Sequence, residues 1–285
     1  MSGPLRALAL AVASLVPVAL GSALLTSDPK TARAQAPTCP SSMVRVQNYC
    51  VDRWEVMMVD HRTAQPLSPY YPPHAGRLQQ TLRIWQIERL AVGDPAARAM
   101  PLPPIPDVQR GRFEPRAVSL PGVVPQGYLS HALAARGCAN AGKRLCTERE
   151  WVTACEASPR RKHPYGDQFE WGACNVYRFT HPAFVLHGVS FVGHTDPRLN
   201  LVVERGEDPL LRLTGATERC RSQWPDGAIY DMVGNLDEWI DDPNGTFVGG
   251  FYARSTREGC SAKIESHSAE YYDYSLGTRC CADAK

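Results

Sequence analysis

The chain has 285 residues, with Lys+Arg 31 against Asp+Glu 29, and 24 Pro, 22 Gly and ten Cys. Its 44% hydrophobic and 21% charged residues are near globular averages, which excludes wholesale disorder. A formal charge of only +2 gives no electrostatic footprint for nucleic acid, so no nucleic-acid partner is expected.

In chain order, Arg6 precedes an apolar run from Ala7 to Leu25, and Ala32-Arg33-Ala34 follows a polar stretch. A basic start, an apolar middle and a small-x-small site describe a secretory signal peptide over residues 1–34. Pro17 and Gly21 inside the run favour cleavage over the alternative, an uncleaved membrane anchor. Cleavage would remove Arg6, Lys30, Arg33 and Asp28 and leave a formally neutral, exported chain, secreted or periplasmic, with no membrane span. All ten Cys lie after this segment: 39, 50, 138, 146, 155, 174, 220, 260, 280 and 281. An even number in an exported chain reads as a disulfide framework whose connectivity spacing alone leaves open. No CxxC is present, so thiolate zinc is disfavoured.

Residues 43–59 alternate β-branched and aromatic residues and read as two strands around a turn at Gln47-Asn48. Repeated prolines mark residues from about 60 to 125 as a surface excursion of a single domain, 35–285. Inside it, Leu82, Trp85, Ile87 and Leu90 recur at near-helical spacing, which predicts a helix over 78–90. A helix over 128–141 is expected next. Thr147 followed by Glu150 forms a capping box for a short helix over 148–156 that buries Trp151 and Cys155. Residues 157–225 read as loop with sparse strands.

Six blocks carry a resemblance. They are CVDRWEV at 50–56, AGKRLCTEREW at 141–151, HPYG at 163–166 with Asn175 after it, IYDMVGNLDEW at 229–239, VGGFY at 248–252 and LGTRCCAD at 276–283. Together and in order they resemble the formylglycine-generating enzyme family, the sulfatase-modifying factor domain. The resemblance implies an α+β, C-type-lectin-related fold with little regular secondary structure. It implies oxidation of a cysteine in a Cys-x-Pro-x-Arg peptide, using copper(I) held by two cysteines after the GG element. Soft thiolates suit copper(I). Here Arg254 stands where the first is expected, and only Cys260 follows. The resemblance further pairs Cys155 with Cys260 and Cys138 with Cys280. Cys39–Cys50 then follows, and Cys146, Cys174, Cys220 and Cys281 form two more bridges. No thiol is left for copper, so Cys260 is the sole catalytic candidate and copper is not expected.

The same resemblance implies calcium at Val233, Gly234, Leu236 and Glu238, Glu238 giving the one side-chain ligand; hard oxygen donors are what calcium takes. The other reading pairs Glu238 with a buried arginine such as Arg279. A second calcium set would begin at Asn175 and Val176, with its acidic partner near Leu211 or from Glu207 or Asp208. His181, His187 and His194 could hold iron or zinc. Arg254, Arg257, Tyr271 and Tyr272 are candidates for a ligand groove. The expected function is a monomeric exported binding or scaffold module for a peptide, protein or glycan. The alternative is an oxidative maturation enzyme acting on a sulfatase cysteine or a peptide-derived substrate.

Overall fold

A computed structural model describes residues 38–88, 95–204 and 209–285. The expected signal segment 1–34, Glu207 and Asp208 lie outside them. The strands and helices are β1 (Met43–Val46), β2 (Tyr49–Asp52), β3 (Val56–Asp60), α1 (Ala75–Glu88), α2 (Pro95–Ala99), β4 (Pro115–Ser119), α3 (His131–Asn140), β5 (Arg144–Leu145) and α4 (Glu148–Glu156). There follow α5 (Pro182–His187), β6 (Arg221–Trp224), β7 (Gly227–Tyr230), β8 (Asp237–Trp239), β9 (Phe247–Val248), β10 (Lys263–Ile264), β11 (Leu276–Thr278) and β12 (Cys280–Asp283). The architecture is mixed α and β with little helix, and five disulfides staple it. Among the described residues no helix is long and apolar enough to cross a membrane.

β1 and β2 pair antiparallel around Gln47-Asn48, with Gln47 taking the left-handed conformation (φ 56°) that a two-residue turn needs. Where two strands were expected over 43–59 there are three. The chain turns after Asp52 because Trp54 N donates to the Ser119 hydroxyl, which carries β3 off to β4. β12 lies between β2 and β5 in a sheet ordered β1-β2-β12-β5. β8 lies between β9 and β11 in a second sheet, and β11 runs parallel to it.

The adjacent cysteines of β12 explain why one short strand joins two cores. Successive side chains of a strand point to opposite faces. Cys280 therefore bridges to Cys138 of α3, among Leu133, Met58 and Trp239. Cys281 bridges to Cys146, among Val44, Val51 and Trp151. A third cluster gathers Tyr128, Leu199, Leu236, Tyr252 and Tyr274. The remaining bridges are Cys39–Cys50, Cys155–Cys260 and Cys174–Cys220.

The proline-rich stretch is more than surface. β4 pairs with β3 along its length, and Leu67, Tyr71, Phe113 and Ala117 are buried. The inward residues of β4 are Pro115, Ala117 and Ser119, too weakly apolar to announce a core strand. α1 starts three residues before the expected helix, buries Leu78 and leaves Ile87 exposed. α4 spans the predicted residues. Glu150 N donates to Thr147 Oγ1 (3.3 Å) and Thr147 N to Glu150 Oε2 (2.9 Å), so both halves of the capping box are made.

Candidate binding face

Asp237 and Glu238 of β8 are both buried, and the strand's alternation sends them to different neighbours. Glu238 turns to Arg279. The guanidinium donates to Glu238 Oε1 (2.9 and 2.6 Å) and Oε2 (2.7 Å), and Trp151 Nε1 donates to Oε2 (2.6 Å). Arg279 also donates to the carbonyls of Asp52, Tyr230 and Asp231. Nearby, Glu55 accepts from Asn235 Nδ2 (2.6 Å) and Leu236 N (3.0 Å). Burial, with the charges of Asp231 and Glu238, holds the Glu55 carboxyl well above the usual range. Burial pushes Asp231 up to about 7, although Gly215 N and Arg279 oppose it. Among the described residues Glu238 alone pairs with the guanidinium, and the buried carboxyl groups of Glu55 and Asp231 lie within the field of its charge.

The two expected calcium sets meet in this region. Asn235, at φ 63°, donates its N–H to the Asn175 carbonyl (3.0 Å), and Asn175 Nδ2 donates to Asn235 Oδ1 (3.0 Å). A Cβ on Gly234 would stand 2.4 Å from the Asn175 carbonyl oxygen, so this approach requires glycine. In the first set the one side-chain ligand is already engaged. Glu238 has both oxygens engaged by donors and the Asn175 carbonyl accepts from Asn235, while Glu207 and Asp208, the acidic partners expected of the second set, lie outside the described residues. Val233, Gly234, Leu236 and Val176 could offer only backbone carbonyls to a cation. Among the described residues no group of three or more His, Cys, Asp or Glu is placed to hold a metal.

His187 engages Asp196, whereas His181 and His194 both pack on the Tyr274 ring. His187 Nε2 lies 3.1 Å from buried Asp196, which also pairs with Arg198. His181 Nε2 meets the Tyr274 hydroxyl at 3.3 Å, and burial followed by the neighbouring His194 makes His181 harder to protonate. His194 Nε2 is 2.8 Å from the Ser190 carbonyl. Cys260 is bridged to Cys155, and no cysteine is free.

Arg254 occupies the position expected of a copper cysteine, and its guanidinium pairs with Asp237 at 2.8 Å while lying 5.2 Å from the Phe251 ring centroid. Gly250 N completes the Asp237 contacts at 2.9 Å. Burial nevertheless pushes Asp237 up to about 7, against Arg254 and with a further push from Asp273. Tyr271 joins this cluster by donating its hydroxyl to Asp273 (2.7 Å). Tyr272 instead sits under Arg77, whose guanidinium carbon is 4.6 Å from its ring.

Exposed Arg257 lies over Phe169 (5.5 Å) and Tyr177 (5.2 Å). Beside Tyr177, Trp171 packs edge-on at 4.9 Å and stacks on Phe179 at 6.5 Å. Trp171 and Phe179 are 58% and 93% exposed, large rings held out to solvent. The loop is pinned by the Cys174–Cys220 bridge and by Tyr177 N to the Arg254 carbonyl and Arg178 N to the Tyr252 carbonyl. Arg257 and these aromatics are linked ring to ring, and Arg254 joins them through its carbonyl, which accepts from Tyr177 N. Trp171 and Phe179 were absent from the sequence-based candidates. The alternate aromatics Phe169 and Trp171, then Tyr177 and Phe179, are the signal that could have found them.

No family model matches the chain, and no curated protein matches it. Among solved structures it is similar to that of PvdO from Pseudomonas aeruginosa (TM-score 0.37, 15% identity, covering 86% of this chain and 99% of that one). It is also similar to the crystal structure of CarF (TM-score 0.39, 12% identity, 83% of this chain and 87% of that one). Scores this low support no transfer of chemistry.

Proposed function

We propose that this chain is an exported member of the formylglycine-generating-enzyme-like group that works as a binding or scaffold module for a peptide, protein or glycan. The observation that carries the reading is the fate of the sulfurs. Arg254 replaces one expected copper ligand, and Cys260, the only cysteine that follows, is bridged to Cys155. Five bridges consume all ten cysteines, which supports an oxidising compartment and leaves no thiolate pair for copper(I). The Arg257–Trp171–Phe179 face supplies what a binding site needs instead. Flat rings with an adjacent guanidinium stack on sugar faces or peptide groups.

Three measurements test this. Thiol titration of the denatured, unreduced protein should find none. Incubation with copper(I), oxygen and a Cys-x-Pro-x-Arg peptide should return the peptide unoxidised. Selection of a displayed random-peptide library and binding to a glycan array should yield ligands that the Trp171→Ala/Phe179→Ala variant does not hold. Formylglycine in the peptide would establish the oxidative alternative and end this reading.

A further inference from the structure

A cavity of about 640 Å³ opens between the start of α1, residues 111–115 and the N-terminus of α3, apart from the aromatic face. Four arginines line it, Arg62, Arg77, Arg112 and Arg136, against one carboxylate, Glu114. Arg77 pairs with Glu270 (2.6 Å), and Arg136 pairs with Glu114 (2.7 Å) in a half-exposed contact that exchanges at little cost. Arg62 donates to the Arg112 carbonyl and its charge also acts on Asp60, whereas Arg112 forms no ion pair among the described residues. The wall is fixed. Asp60 accepts from Thr63 N (3.0 Å) and Glu114 N (3.0 Å), locking the two loops that carry Arg62 and Arg112.

A second observation points to a ligand. Ser130, fully buried, lines the cavity at the N-cap of α3, and its hydroxyl has no partner. It does not cap the helix either. The amides of Ala132 and Leu133, in the first turn, have no acceptor within the helix, and both residues line the same cavity. The unpartnered Ser130 hydroxyl and the first-turn amides border one space with four guanidinium groups, of which Arg77 and Arg136 hold ion pairs that an anion can exchange. Donors of this kind are matched by a tetrahedral oxyanion. The volume far exceeds one such ion, and Phe113, Leu133 and Pro73 give the space an apolar side.

We propose that this cavity binds a phosphate or sulfate monoester, its oxyanion held by Arg112, Arg136 and the Ser130 end of α3 and its organic body lying on Phe113 and Leu133. Calorimetric titration of the full chain at low salt with 1-naphthyl phosphate, 1-naphthyl sulfate, inorganic phosphate and 1-naphthol tests it. One or both esters should bind with a stoichiometry near one and at least about tenfold more tightly than inorganic phosphate or naphthol. Binding of one ester alone would support the site and name its anion. Arg112→Ala/Arg136→Ala should weaken binding by about tenfold or more without changing the melting temperature, since both side chains are exposed. Ser130→Ala should weaken it severalfold, and Trp171→Ala should leave it unchanged. Failure of both esters to bind at millimolar concentration, or undiminished binding by the double arginine variant, would overturn the proposal.

Discussion

Arg279→Met should destabilise the protein far more than Glu238→Gln, although the two residues form one ion pair. Arg279 is fully buried, pairs with Glu238 and puts its charge near Glu55 and Asp231. Its loss strands Glu238 and removes the positive charge facing the other two. Removing one partner of a buried pair costs about 3–5 kcal/mol. At roughly 2–4 °C per kcal/mol for a domain of this size, the melting temperature should fall by about 6–20 °C. Glu238→Gln keeps an acceptor for Trp151 and leaves Arg279 facing two carboxylates, so its loss should be about 1–3 kcal/mol. The pH dependence separates the two further. Glu55 and Asp231 have folded-state affinities for protons above their unfolded ones. Their contribution is therefore fully present at low pH and is lost as pH rises from the ordinary carboxylate range through about 7 for Asp231. Arg279→Met steepens that decline, and Glu238→Gln, by removing a neighbouring negative charge, flattens it. Urea unfolding with disulfides intact at pH 5, 6.5 and 8 reads both effects. Equal losses for the two variants, or a pH-independent loss for Arg279→Met, would refute this account of Arg279. The same protein melted with calcium and with chelator should show one melting temperature. A calcium-dependent rise abolished by Glu238→Gln would return Glu238 to a metal.

Thr147→Ala should cost about 1 kcal/mol through loss of the α4 cap, read by chemical denaturation. Replacing Cys146 and Cys281 with serine should lower stability by about 2–5 kcal/mol, because the bridge ties β12 to the larger core; a change under about 0.5 kcal/mol would show that the strand is held without it. Trp171→Ala should change stability by no more than about 0.5 kcal/mol while weakening ligand capture, since the ring is exposed. A large fall in melting temperature would make Trp171 a structural residue.

Local signals were readable in the sequence. Thr147 and Glu150 predicted the start of α4 to the residue, because a capping box is satisfied within four residues of chain. Gln47-Asn48 announced the β1–β2 turn for the same reason. β4 was not readable, since its inward face of Pro115, Ala117 and Ser119 is buried only because β3 and α3 cover it. The candidate site divided likewise. Arg254 and Arg257 were visible by position, whereas Trp171 and Phe179 came beside them through backbone bonds joining residues 177–178 to 252–254.

Composition and cysteine placement determined that this chain is an irregular, disulfide-stapled α and β structure, because ten thiols and frequent proline limit what else could be stable. Only the tertiary structure decided what Glu238 does. A carboxylate suits calcium and guanidinium alike in a sequence, and the choice follows from which charge the fold brings within hydrogen-bonding distance. Here that is Arg279, 41 residues away along the chain.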